Sequence, residues 1–207
     1  MKIISANIGE KREIQWRKKL VETGIFKYPT EEISLGTEDV VGDHVIERKY
    51  HGGIDKACYL FSADAYPKFK KLYPDLDWNW GMFGENITVE NLDEGDIMIG
   101  DQYQIGSALV EVSQPRQPCY KLGVRFGNQK VIKDFIALEH PGVYLRVLEM
   151  GLVKAGNQME LVKKGSELSV REIFNAIYAP ENYQELINRA MDIRELSDST
   201  KGDLKVL

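Results

Sequence analysis

Over most of the chain, apolar residues come in short runs that alternate with polar ones. Beyond Lys163-Lys164-Gly165-Ser166 they recur at every third and fourth position instead. The first pattern is that of half-buried strands and the second that of amphipathic helices. Runs rich in β-branched and aromatic residues predict strands over Lys2–Ile8, Lys56–Phe61, Asn86–Val89, Gln102–Ile105, Ala108–Val112, Val143–Glu149 and Gln158–Val162. Within the second of these, Tyr59 and Phe61 fall on one face and Cys58 and Leu60 on the other. Gly95-Asp96, Gly100-Asp101 and Gly106-Ser107 are closely spaced turn signals. Strands this short and frequent predict a mainly β (α+β) protein built as a sandwich or barrel, not a parallel α/β sheet.

Two helices are expected inside the β part. Asp64–Leu72 tolerates Pro67 if Asp64 is the cap, and Asn128–Glu139 puts Val131, Ile132, Phe135 and Leu138 on one stripe before Pro141. Ser169-Val170-Arg171-Glu172 has the capping-box pattern and opens a helix carrying Ile173, Phe174 and Ile177. Pro180 opens a second helix with Tyr183, Leu186, Ile187 and Ala190 on one face, and Ser197 caps a short third. The organisation expected is a β domain over 1–164 and a three-helix extension over 165–207. The extension is too small to stand alone, so it must pack on the β part or on a partner subunit. Its apolar faces are compatible with a homodimer.

A formal net charge of −5 argues against a duplex-binding face, so no nucleic-acid polymer is expected as partner. No run approaches the roughly 18 apolar residues of a membrane span, and the N-terminus lacks an export signal. A soluble cytoplasmic protein without membrane association is expected. The two cysteines, Cys58 and Cys119, are far apart and form neither a disulfide framework nor a zinc motif, which fits a reducing compartment. His44, His51 and His140 lack paired helical spacing, and no carboxylate-rich calcium loop occurs, so an all-protein zinc or calcium cage is not expected.

Candidate chemistry gathers in three segments. Cys119 follows a strand in Pro115-Arg116-Gln117-Pro118-Cys119-Tyr120-Lys121, a stretch the prolines should hold as a stiff loop. Neighbouring cations favour a thiolate, and Arg116, Lys121 and Arg125 could together neutralise one small anion, which suggests a phosphorylated ligand. The same residues also read as a small apolar side chain at a strand end with a solvated basic face. His51-Gly52-Gly53-Ile54-Asp55-Lys56 could form a ligand lip in which paired glycines let amides approach an anion; it reads equally as a glycine turn with solvated Asp55 and Lys56. Phe83-Gly84-Glu85-Asn86 carries an amide able to read a heterocycle edge or to tie down a loop. Trp78, Trp80 and Phe83 could wall a planar ligand or close a barrel end.

These three segments, His51-Gly52-Gly53-Ile54-Asp55-Lys56-Ala57, Phe83-Gly84-Glu85-Asn86-Ile87-Thr88, and Gly100-Asp101 leading to Pro115-Arg116-Gln117-Pro118-Cys119, resemble in order the MOSC family, named for the C-terminal domain of molybdenum cofactor sulfurases. The tail after Gly165 resembles the three-helix extension of its small bacterial YiiM-like branch. The resemblance implies a strongly twisted, mostly antiparallel β-barrel and a cleft where the three segments meet. It also implies a pterin-based molybdenum cofactor (molybdopterin), with Cys119 either ligating molybdenum or holding a persulfide. His51, Gly52, Gly53, Asp55, Lys56, Asn86, Arg116, Gln117 and Lys121 are the cofactor-binding positions expected from it. Cys58 stands where the family commonly has an aliphatic residue, and is expected to be a core substitution. The implied activity is reduction of small N-hydroxylated compounds, such as an N-hydroxylated purine. Electrons would come from an external flavoprotein, since the chain has no dinucleotide fingerprint. Sulfur transfer through Cys119 and non-enzymatic storage or delivery of the cofactor remain the alternatives.

Overall fold

The computed structural model describes residues 1–205, side chains at positions 49 and 50 excepted, so the last two residues of the expected tail lie outside it. In chain order the strands are β1 (Lys2–Gly9), β2 (Arg12–Trp16), β3 (Lys19–Thr23), β4 (Lys27–Thr30), β5 (Glu32–Leu35), β6 (Cys58–Ser62), β7 (Ile87–Glu90), β8 (Gln102–Ile105), β9 (Ala108–Pro115), β10 (Val143–Glu149), β11 (Gly151–Lys154) and β12 (Met159–Lys163). The helices are α1 (Arg48–His51), α2 (Tyr66–Leu72), α3 (Tyr120–Arg125), α4 (Lys130–Ala137), α5 (Val170–Tyr178), α6 (Gln184–Met191) and α7 (Asp198–Lys205).

Eight strands form one sheet in the order β12-β8-β9-β10-β6-β7-β1-β4, antiparallel throughout except for the parallel pair β6 and β7. The ladder is twisted and not closed. Its far ends are drawn together where Met1 and Ile3 exchange backbone hydrogen bonds with residues 156, 157 and 159. Pairs β5–β11 and β2–β3 form two small sheets of their own. Among the described residues no helix is long and apolar enough to cross a membrane.

The alternation in β6 sorts two cores. Cys58 and Leu60 face a large aliphatic cluster inside the sheet, while Tyr59 and Phe61 face an aromatic cluster beneath α2 and α4. Both faces are buried, as a central strand covered on two sides requires. Trp78 and Trp80 pack edge-on to Tyr66 at 5.7 and 4.6 Å, and Phe83 stacks on Phe61 at 4.0 Å. These rings belong to the aromatic cluster, and none of Trp78, Trp80 and Phe83 lines the cleft that the candidate segments form. Cys58 is fully buried, and burial pushes its thiol up to about 12. It is a core residue.

The tail packs on the sheet. Val170, Ile173, Ala176, Ile187, Ala190 and Leu204 join the aliphatic cluster of the strands. Ser169 accepts from the Glu172 amide while the Glu172 carboxylate accepts from the Ser169 amide, completing the capping box. Ser197 Oγ accepts from the Thr200 amide and starts α7. Pro180 opens a 3-10 turn, and α6 begins only at Gln184. Asp64 does not cap α2. Its carboxylate accepts from the Asn91 amide, and a 3-10 turn over Ala63–Ala65 leads into the helix.

The strand before the cysteine runs further than expected. β9 continues to Pro115, opposite Val143 of β10. Its other neighbour, β8, pairs only as far as Glu111, so the proline serves a single ladder. The stiff loop is short, and Cys119 is already the residue that precedes α3.

Candidate active site

β6 and β10 pair antiparallel with Tyr144 opposite Tyr59, ring centroids 5.1 Å apart, and these two tyrosines line one side of a cleft. The cysteine loop leaves the end of β9 beside them, α1 brings His51 from above, and the Gly84–Asn86 segment enters β7 from the far side. All three sequence segments meet here. His51, Lys56, Asn86, Arg116, Cys119 and Lys121 all line the cleft.

Cys119 is partly exposed, and its Sγ lies 4.0 Å from His51 Nε2. Its side chain makes no capping bond to α3, so the thiol is left to the cleft. Burial, with the charges of Lys121 and Arg116, lowers His51 to about 4. The imidazole is therefore neutral at pH 7 and can carry its proton on Nε2, toward the sulfur.

Arg116 is a buried cation. Its guanidinium donates to the Phe83 carbonyl oxygen and lies 4.8 Å over the Tyr59 ring. Among the described residues no carboxylate lies within ion-pair distance of it. Lys121, also buried, donates to Glu47 at 2.6 Å. Lys56 is half-buried, and burial lowers its ammonium below the usual lysine range.

Asn86 does structural work at the cleft edge. Its side-chain oxygen accepts from the Tyr59 amide at 3.2 Å and its Nδ2 donates to Asp43 at 2.9 Å. Asp43 also accepts from the Gly9 amide and is ion-paired with Lys27. Next to it, Glu85 is fully buried and gathers Tyr66 Oη, the Gly81 and Phe83 amides and Thr88 Oγ1. Burial raises its carboxyl. Gly84 has φ +78°, and a Cβ there would come within 3.0 Å of Ile25, another lining residue.

Four positions expected at the cofactor do not line the cleft. Asp55 is ion-paired with Arg146 at 2.5 Å, and its carbonyl accepts from Ser113. Gln117 donates to Asp203 at 2.5 Å and ties the cysteine loop to α7. Gly52 is extended and packs against Val45, and Gly53, at φ +90°, turns the chain into the 3-10 turn Ile54–Lys56. Arg125 leaves the expected cation trio, its guanidinium lying 4.8 Å over Phe26 and 5.3 Å over Tyr28. Lys27, Asp43, His44, Tyr59 and Tyr144 were not singled out as site residues from sequence. His44 Nδ1 donates to the Gly9 carbonyl at 3.0 Å, which fixes the ring. No local motif marks these residues: Lys27, Tyr59 and Tyr144 reach the cleft on paired strands, and Asp43 and His44 are held there by contacts to Gly9 and Lys27.

Cys119 supplies the lining's one sulfur, and among the described residues no group of three His, Cys, Asp or Glu side chains is placed to hold a metal ion. The donor set, one soft thiol with buried cations around it, fits an anionic group that brings a metal with ligands of its own.

The MOSC domain family matches this chain over residues 47–160. YflK of Bacillus subtilis is 35% identical over 202 residues, 97% of this chain and 89% of that protein. A protein named Reductase from Gibberella moniliformis is 34% identical over 134 residues, 61% of this chain and 24% of that protein. The crystal structure of YiiM from Geobacillus stearothermophilus superposes with a TM-score of 0.82 at 29% identity, covering 99% of this chain and 97% of that one.

Proposed function

Because the chain belongs to the MOSC domain family, and to its YiiM-like branch, we propose that it binds a pterin molybdenum cofactor and reduces small N-hydroxylated compounds. The observation that carries this reading is the Cys119 thiol, open to a cleft, 4.0 Å from a neutral imidazole and beside the buried, carboxylate-free cation Arg116. A buried cation left without an acidic partner calls for an anion, and a thiolate with a phosphorylated ligand would meet that need. The relative named Reductase supports redox chemistry. About three quarters of that protein lies outside the match, room for an electron-delivering part that here would be a separate flavoprotein.

The reaction is R–NHOH + FlH2 → R–NH2 + H2O + Fl. The N–O bond breaks, and the reduced flavin of the donor supplies the two electrons and two protons. When bound, the cofactor would supply a two-electron redox centre with Cys119 as its protein ligand. The chain's own residues do the rest. Arg116, Lys56 and Lys121 would hold the pterin phosphate, and Asn86, fixed between Asp43 and the Tyr59 amide, would stiffen the edge beside it. Tyr144, half-buried and backed by Tyr59, forms an apolar flank against which a planar heterocycle can lie. His51 can present Nε2–H to the sulfur.

The test is metal analysis and turnover on protein expressed in molybdenum-replete cells. Near-stoichiometric molybdenum, lost in a pterin-deficient strain, is expected, with reduction of N-hydroxyadenine by reduced methyl viologen and at least a hundredfold loss in Cys119→Ser. Molybdenum-free protein carrying one labile extra sulfur on Cys119 would favour sulfur transfer. Bound cofactor without turnover would favour storage or delivery.

A further inference from the structure

The β2–β3 hairpin belongs to neither the eight-stranded sheet nor the β5–β11 pair. It is a strap that runs from the cleft wall to the outer surface. Thr23 at its base lines the cleft. Near its far end Trp16 stacks on Tyr120 at 4.5 Å with the ring planes 23° apart, and Tyr120 is the residue after Cys119. The tip therefore sits one aromatic pair away from the sulfur-bearing loop.

Its turn is chemically unusual. Trp16 pairs with Lys19, which leaves a two-residue loop of Arg17 and Lys18 with φ of +44° and +66°. Tight hairpins with two left-handed residues strongly prefer Asn-Gly or similar pairs, because a Cβ is strained there. The chain instead places two long cations where glycine or asparagine would relax the turn. Strain held at an exposed position points to function.

The charge pattern agrees. In a chain of net charge −5, Arg17, Lys18 and Lys19 are consecutive and exposed, and Leu20 beside them is 67% exposed. Lys11 and Arg12, lower on the hairpin, are paired with Glu22 and Glu10. Among the described residues the three tip cations have no carboxylate partner; Arg17 instead lies 5.4 Å over the Trp16 ring. An uncompensated cationic tip around an exposed apolar side chain is the form of a steering and docking surface for an acidic protein.

We propose that the tip of this hairpin, Arg17-Lys18-Lys19-Leu20, is the docking surface for the acidic face of a flavodoxin-type electron donor, bringing its flavin toward the Trp16–Tyr120 pair. This rests on the reductase reading above. The experiment uses cofactor-loaded protein and N-hydroxyadenine, driven either by reduced flavodoxin or by reduced methyl viologen, which needs no docking surface. The triple variant R17E/K18E/K19E is expected to raise the KM for flavodoxin at least tenfold and to flatten the fall of that rate with added salt, while the methyl viologen rate stays within twofold. The double variant Arg17→Asn with Lys18→Gly is expected to raise Tm yet weaken flavodoxin binding, a split that a purely structural hairpin would not give. Flavodoxin binding is also measured directly, by surface plasmon resonance at two salt concentrations, so it is judged even without turnover. If methyl viologen drives no reduction by the loaded wild-type protein, the reductase reading has failed, whatever the binding result. Salt-independent or absent flavodoxin binding, an unchanged KM in the triple variant, or tip-dependent binding of duplex DNA in its place overturns the docking proposal.

Discussion

Cys119 Sγ and His51 Nε2 lie 4.0 Å apart although 68 positions separate them in the chain. The pair joins the loop after β9 to the one-turn helix α1, and burial, with the cations Lys121 and Arg116, keeps the imidazole neutral.

His51 should titrate near pH 4 in the folded protein, against about 6.5 in an unfolded chain. Between those values the unfolded state binds more protons, so stability rises with pH through that window and is complete above it. A titration of the His51 ring by NMR should show the low midpoint. His51→Gln should flatten the pH dependence of the denaturation midpoint between pH 4 and 6.5. A midpoint near 6.5 for His51 would mean the ring is not desolvated as described.

The two thiols should react very differently. Cys58 is fully buried with its thiol raised to about 12, whereas Cys119 opens to the cleft. Brief iodoacetamide treatment at neutral pH should add one label to the native protein and two in denaturant, as read by intact mass. Cys119→Ser should abolish the native label.

Glu85→Gln is expected to destabilise although it removes a buried charge. Four donors, Tyr66 Oη, two backbone amides and Thr88 Oγ1, converge on the Glu85 carboxylate. An amide would turn an NH2 toward at least one of them. A loss of about 1–3 kcal/mol in chemical denaturation follows from one buried donor left unsatisfied.

Two glycines near the cleft should differ in how alanine fails. A Cβ at Gly24 would fall 1.7 Å from the His44 carbonyl oxygen, so Gly24→Ala must displace the backbone that holds His44. A Cβ at Gly53 meets nothing within 4 Å, and only its φ of +90° resists substitution. Gly53→Ala should cost on the order of 1 kcal/mol and Gly24→Ala several times that. Thermal unfolding of the two variants compares them directly.

Much of the framework was legible in the chain. Runs rich in β-branched and aromatic residues located seven of the strands, and Ser169-x-x-Glu172 located the start of α5, because local composition and capping depend on near neighbours alone. β2, β3, β4, β5 and β11 were missed. They are four or five residues long, and polar residues such as Lys19, Lys27 and Glu32 dilute their alternation. α3 was masked by Pro118, which signalled a loop but stands just ahead of the helix.

The sequence by itself determined that a cysteine would stand at the end of a strand with prolines and cations around it, and that glycine-rich segments would flank it. Only the tertiary structure decided which polar and charged side chains reach the cleft. Lys27, Asp43 and His44 arrive there through non-local packing, whereas Asp55, Gln117 and Arg125 are drawn off to Arg146, Asp203 and the Phe26–Tyr28 rings. The reason is physical. Residue type and local period follow from neighbouring residues, but the partner of a charge is set by register and packing between strands that lie far apart in the chain.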